Sequence, residues 1–141
     1  MKNTLLALLL PVLLVAEASA CSCLPKTLEQ FAQDADAIYF ATLQEAKLVE
    51  RDGIHGSSIE GQFRIRQTLK GHAPSKLVRL TTPADSATCG VIMIVAATHI
   101  LFMDKGSTSV IACDGSHAIE RFQEAEYAAK VKAALKKGSR K

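Results

Sequence analysis

"QFRIRQTLKG", Gln62 to Gly71, decides how the chain is read. Phe63 and Ile65 alternate with Arg64 and Arg66, the two-residue period of a strand buried on one face only. Lys70-Gly71-His72-Ala73-Pro74 then turns the chain. Upstream, Ala37 to Leu43 (AIYFATL) is β-branched and aromatic enough for a strand, and Asp52-Gly53 with His55-Gly56-Ser57-Ser58 makes a polar turn between the two. Downstream, Lys76 to Thr82, Val91 to Val95, His99 to Met103 and Ser109 to Cys113 supply further short strands. Pro83-Ala84-Asp85, Ala96-Ala97-Thr98 and Asp104-Lys105-Gly106 separate them. About five or six short strands at this spacing predict a mainly β fold, a small closed barrel or sandwich.

Two segments read as helix. Pro25 to Asp34 is a short piece with Leu28 and Phe31 three apart on one face. His117 to Lys137 contains no Gly or Pro and aligns Phe122, Ala125, Ala129 and Lys132 or Ala133, which predicts a terminal helix packed on the barrel through that stripe. Its last turns carry Lys130, Lys132, Lys136 and Lys137, followed by Arg140 and Lys141. Cations there suit the negative end of the helix dipole, so a solvated, stabilising end is the first reading and a site for an anionic partner the second.

The start of the chain is of another kind. Lys2 precedes an apolar run, Leu5 to Val15 (LLALLLPVLLV), and Ala18-Ser19-Ala20 forms an A-x-A site: a secretory signal peptide over residues 1–20. The run is too short to span a bilayer, which takes roughly 20 residues. The later GVIMIVAATHILFM meets His99 too soon, so no transmembrane helix is expected in the mature chain. The mature chain then begins at Cys21 and is exported, as a secreted, periplasmic or cell-envelope protein. About 120 residues remain, enough for one small domain. The net charge of +3 says little about partners. With no Trp and only two Tyr, the chain lacks the aromatic and basic interleaving of a nucleic-acid platform.

Cys21, Cys23, Cys89 and Cys113 all fall in the mature part. An even count in a small exported domain reads first as disulfides. Zinc is the rival reading, but structural zinc prefers C-x₂₋₄-C pairs, whereas here one C-x-C accompanies two distant singles. Nor is C-x-C the C-x-x-C of thioredoxin-like motifs. Cys21 and Cys23, two apart on an extended chain, do not readily pair with each other, which leaves the two connectivities that staple the N-terminus into the body at two points.

Taken together, "CSCLP", "DADAIYFATL", "FRIRQTLKG", "TTPADSATCGV", "HILFMDKG" and "VIACDG" resemble the N-terminal inhibitory domain of the tissue inhibitors of metalloproteinases, a netrin-like module with an OB-fold. The similarity runs from Cys21 to about Gly115. The resemblance implies a small OB-fold-like closed barrel over residues 21–116, followed by a C-terminal helix and basic tail over 117–141. It also implies the pairs Cys21–Cys89 and Cys23–Cys113. Loops that long would each restrict the unfolded chain by roughly 4 to 5 kcal/mol in the chain-entropy picture. Two departures stand out. Counted without a gap, Gln33 falls where the animal inhibitors carry a further cysteine, and their disulfide-rich C-terminal subdomain is replaced by the helical tail, so the chain looks like a minimal, bacterial-type relative.

In that family the α-amino group and carbonyl oxygen of the first cysteine chelate the catalytic zinc of a protease, and the next side chain enters its specificity pocket. Carried over, Cys21 is the chelator of the target's zinc, Ser22 the pocket residue, Cys23-Leu24-Pro25 the adjoining ridge, and Ala87-Thr88-Cys89 its neighbour. The partner is then a zinc metalloproteinase; the alternative is a cell-envelope module binding another extracytoplasmic protein or an acidic polysaccharide. "ASAC" also resembles a lipobox, which would acylate Cys21 and turn its amine into an amide, a poor zinc ligand. The complete A-x-A site favours simple cleavage after Ala20.

Enzyme chemistry finds little footing. His55, His72, His99 and His117 show no H-x-x-x-H or H-E-x-x-H spacing, so no metal or other cofactor of the chain's own is expected. Asp114, Ser116 and His117 lie close together, but no G-x-S-x-G elbow occurs. Asp34 and Asp36, two apart before a strand, suit turn capping. The expectation is a binding module and not an enzyme.

Overall fold

The first element after the N-terminal ridge is set by a reciprocal cap. Thr27 Oγ1 accepts from Gln30 N at 3.3 Å and Gln30 Oε1 accepts from Thr27 N at 2.8 Å, which satisfies two otherwise unpaired donors and starts helix α1 (Leu28–Asp34). At its other end Lys70 Nζ donates to the carbonyls of Ala32, Gln33 and Ala35, a cation on the carbonyl end of the helix. The structure is a computed structural model that describes residues 21–50 and 56–139. The expected signal peptide, the turn residues Asp52, Gly53 and His55, and the tail residues Arg140 and Lys141 lie outside the described residues.

Five strands follow: β1 (Ala37–Val49), β2 (Ser58–Lys70), β3 (Leu77–Pro83), β4 (Thr98–Met103) and β5 (His117–Ile119), with helix α2 (Glu124–Gly138) after them. They form one antiparallel sheet in the order β3-β2-β1-β4-β5. The mainly β expectation holds; the closed barrel does not. β3 and β5 are the two edges of an open sheet, and among the described residues the contact beyond β3 is a single parallel bridge, Thr81 to Ser109, carried by Thr81 N donating to Thr108 O and Val110 N to Thr81 O, each at 2.9 Å. The segment that would close the seam spends its polar groups locally: Ser107 Oγ donates to Ser109 O at 2.8 Å and accepts from Ser109 N at 3.2 Å. Such side-chain bonds compete with a strand ladder.

The same competition removes two expected strands. Val91 to Val95 is irregular, because Val91 N donates to the Thr82 hydroxyl at 2.8 Å and Ala96, with φ +66°, turns the chain. Ser109 to Cys113 makes isolated bridges at Ser109 and Ile111 and then enters a 3₁₀ turn, Ala112–Asp114.

The sheet is buried on both faces. One side packs Ile38, Phe40, Ile100, Phe102 and Ile119 against Ala32 and Ala35 of the α1 region and Ala128, Val131 and Ala134 of α2. The other side gathers Tyr39, Ala41, Leu43, Phe63, Leu80, Leu101 and Met103 with Val91 and Val110. This explains why AIYFATL and THILFM run apolar without alternating, as central strands covered on both sides do. β2 needs only one apolar face and keeps the alternation: Phe63 is buried and Arg64 and Arg66 are exposed.

The terminal helix exists, but it starts later and turns a different face inward. His117–Ile119 is strand β5, Arg121–Gln123 is a 3₁₀ turn, and Phe122 is 81% exposed. Ala128, Val131 and Ala134 are the buried positions, joined by the partly buried Tyr127 and Leu135, while Ala125, Ala129, Lys132 and Ala133 face outward. Burying Ile119 in the sheet core draws the first residues into β5 and shifts the helical phase, so the stripe headed by Phe122 is not the one that packs.

Candidate functional site

Two bridges gather the Cys21–Cys23 segment and two distant loops at one end of the sheet. Cys21 is paired with Cys89 and Cys23 with Cys113, with Cα atoms 5.1 and 5.2 Å apart. All four sulfurs lie within 4.8 Å of one another, and across the pairs Cys89 Sγ and Cys113 Sγ are 3.4 Å apart. Among the described residues no cysteine is left as a thiol, so the metal-ligand reading of these residues gives way to two stacked disulfides.

The loops that hold the body cysteines are tightly determined. Asp85 caps the 3₁₀ turn Ser86–Thr88, its Oδ1 accepting from Thr88 N at 2.8 Å and from Thr88 Oγ1 at 2.9 Å. Cys89 then adopts φ +61°, a left-handed conformation that costs a non-glycine residue on the order of 1 to 2 kcal/mol. Its carbonyl accepts from Ala112 N at 2.8 Å and its sulfur is bonded to Cys21, which together hold it there. Gly90 must lack a side chain, since a Cβ would run into the Pro83 carbonyl oxygen. Around Cys113, Asp114 Oδ2 accepts from Ile111 N at 3.0 Å and Oδ1 from Ser116 N at 2.8 Å. Burial raises the Asp114 carboxyl above its usual range, and those hydrogen bonds partly offset the rise. Gly115, at φ +93°, lets the chain pass over the Phe31 ring, where a Cβ would sit 2.9 Å from the ring carbon.

On this base the expected ridge stands outward. Ser22, Cys23, Leu24 and Pro25 are exposed, Leu24 at 83%, and Cys21 is half-buried. Ala87 and Thr88 are exposed as well, and Cys89 joins them to Cys21 through its sulfur. The residues named from the sequence therefore come together as two exposed segments cross-linked at their ends.

The other sequence candidates serve the main chain. Ser116 is buried, its Oγ accepting from Phe102 N at 2.9 Å, and His117 Nδ1 lies 2.7 Å from Gly115 O. Asp114, Ser116 and His117 thus all bond backbone groups, and Asp114 also interacts with the Ser116 side chain. Asp34 pairs with Lys26 at 2.8 Å, and Asp36 Oδ2 accepts from Lys105 N at 2.7 Å, tying the start of β1 to the turn after β4. In the basic helix end, Lys130 pairs with Glu126 at 2.6 Å and Lys137 with Glu29 at 3.4 Å, so two of its cations have acidic partners within the chain.

Two features escaped sequence reasoning. His99 is fully buried, with Nε2 3.2 Å from Ile92 O, Nδ1 3.4 Å from Ala97 O and its ring edge-on to Phe63. It pins both ends of the irregular segment that exposes Ile92, Ile94 and Val95, and burial holds its imidazole below the ordinary range. The signal was a histidine inside the apolar run THILFM. The open seam also leaves a cavity of about 730 Å³, floored by Tyr39, Leu80 and Met103 and flanked by exposed His72, Arg79 and Lys105. No single stretch of sequence signals it, because it arises from a strand that fails to pair. No family model and no curated protein matches the chain.

Proposed function

We propose that the chain is an exported netrin-like binding module that acts through its N-terminal ridge, as an inhibitor of a zinc metalloproteinase. The observation that supports it is the double tether: with Cys21 and Cys23 both paired into the body, Ser22, Leu24, Pro25, Ala87 and Thr88 remain exposed around a fixed Cys21. A catalytic zinc keeps an open coordination position. An α-amine with a pKa of about 7.7 to 8.0 needs little free energy to offer a neutral nitrogen there. Fixing the chelating residue in advance lowers the ordering cost of binding. Ser22 is small and polar, so its pocket contact is weak and unselective.

A second reading draws on another observation. Ile92 is 76% exposed, and Ile94 and Val95 beside it in the same segment are each about half exposed. A protein partner could use that apolar edge without any zinc, which is the cell-envelope alternative. Lipid attachment at the Cys21 sulfur is incompatible with its bond to Cys89.

Intact mass and N-terminal sequencing of the exported protein test the precondition. The inhibitor reading expects a chain that begins at Cys21 with an unmodified amine; a chain that begins elsewhere, or a blocked Cys21, rules it out. Inhibition assays against a panel of zinc metalloproteinases separate the two readings, since the envelope alternative expects none at micromolar concentration.

A further inference from the structure

We propose that the four cysteines form a thiol–disulfide exchange centre, in which electrons from a dithiol are taken up at Cys23 and delivered to the N-terminal C-x-C pair. The inference does not depend on the zinc reading of the ridge. It rests on two asymmetries. Cys23 is the exposed member of the tetrad, whereas Cys21, Cys89 and Cys113 are half-buried. The 3.4 Å contact across the bridges joins Cys89 to Cys113, the two sulfurs carried by the body.

A thiolate of the dithiol attacks Cys23 Sγ, forming a mixed disulfide and expelling Cys113 as a thiolate. Cys113 then lies against Cys89 Sγ, at the 3 to 3.5 Å separation of a near-attack arrangement. Its attack breaks Cys21–Cys89, forms Cys89–Cys113 and expels Cys21, which takes a proton. The second thiol of the dithiol closes on its own mixed sulfur and releases Cys23, which takes the other proton. One dithiol is oxidised to its disulfide, the chain's two disulfides become one, and Cys21 and Cys23 end as thiols.

The body favours this product. Cys89 and Cys113 are already held side by side by the Ala112 N to Cys89 O bond of 2.8 Å and the antiparallel bridge between Gly90 and Ile111. Their separation along the chain is 24 positions, against 68 and 90 for the starting bridges. The rearranged bridge joins two groups already in place, and the N-terminal segment, released from both tethers, regains its conformational freedom. If the ridge reading is also right, one equivalent of dithiol switches inhibition off.

The test is a map of the half-reduced protein. The mature chain is treated with one equivalent of dithiothreitol near pH 8, alkylated and digested. The expected two-thiol species carries label on Cys21 and Cys23, with Cys89 linked to Cys113. Label on Cys23 and Cys113 with Cys21–Cys89 intact overturns the proposal, and so does direct passage to four labelled cysteines. Two single variants check it without reductant. Cys23→Ser leaves Cys113 as a thiol and should be isolated with Cys89–Cys113 joined, whereas Cys113→Ser should keep Cys21–Cys89. Retention of Cys21–Cys89 in both variants contradicts the exchange.

Discussion

The face of the sheet beneath the helices and the end that carries the cysteines are held by different forces. Under the helices, Phe40, Ile100 and Val131 are fully buried in a continuous apolar layer, and among the described residues no disulfide ties α1 or α2 to the strands. At the cysteine end the chain is mostly irregular, with Ser22 to Pro25 and Asp85, Ala87 and Thr88 exposed, and two bridges with a few side-chain caps fix it. Apolar burial holds elements that can present a wide face to one another. A short irregular surface segment cannot, so fixing it takes bonds that act by restricting the unfolded chain.

This contrast can be broken from either side. The largest effect should come from the apolar side: Phe40→Ala removes a fully buried ring from the core layer that includes residues of both helices and is expected to cost about 3 to 5 kcal/mol, read from urea unfolding midpoints. A loss below 1 kcal/mol would mean that the helices are not held by that layer. Removing the Cys23–Cys113 bridge with paired serine substitutions should cost somewhat less, about 2 to 4 kcal/mol. Its loss of hydrogen-exchange protection should concentrate at residues 109–116, with α2 as protected as in the parent. Uniform loss across the sheet would contradict the division into two regimes.

A smaller effect depends on pH. Because burial lowers the His99 pKa in the folded chain, the unfolded chain binds that proton more readily. The stability contributed by neutral His99 is complete above the ordinary value near 6.5 and is lost as the pH falls below it. Parent and His99→Gln proteins compared from pH 8 to pH 5 should diverge, with the parent's thermal midpoint falling more steeply toward acid. Parallel curves would place the acid sensitivity elsewhere. The smallest effect is expected at Phe122, which lies outside both regimes: Phe122→Asp should change stability by no more than about 0.5 kcal/mol, as an exposed position does. A thermal midpoint well below the parent's would restore Phe122 to the packed face.

The same contrast separates what the sequence disclosed from what it did not. Local patterns that report burial were readable: the alternation at Phe63 to Arg66 and the apolar runs of β1 and β4; the cysteine pairs are the ones that the resemblance implied. Features decided by competition between distant segments were not. Val91 to Val95 has strand composition, yet the Thr82 hydroxyl and His99 take the backbone groups that a ladder would need. Closure of the barrel depended on how far residues 107–113 pair with β3, and they do so only around Thr81, while Ser107 and Ser109 bond each other. For α2 the period was right and the phase wrong, because a three-residue strand precedes the helix.

The proposed inhibition acts through an exported chain that begins at Cys21, and one added residue tests it most directly. Placing a single alanine before Cys21 converts its amine into an amide and moves the new amine outward, while both bridges can still form. Thermal midpoint and circular dichroism should match the parent, and inhibition of any zinc metalloproteinase that the parent inhibits should vanish. An alanine-extended protein that inhibits as strongly as the parent would contradict chelation through Cys21.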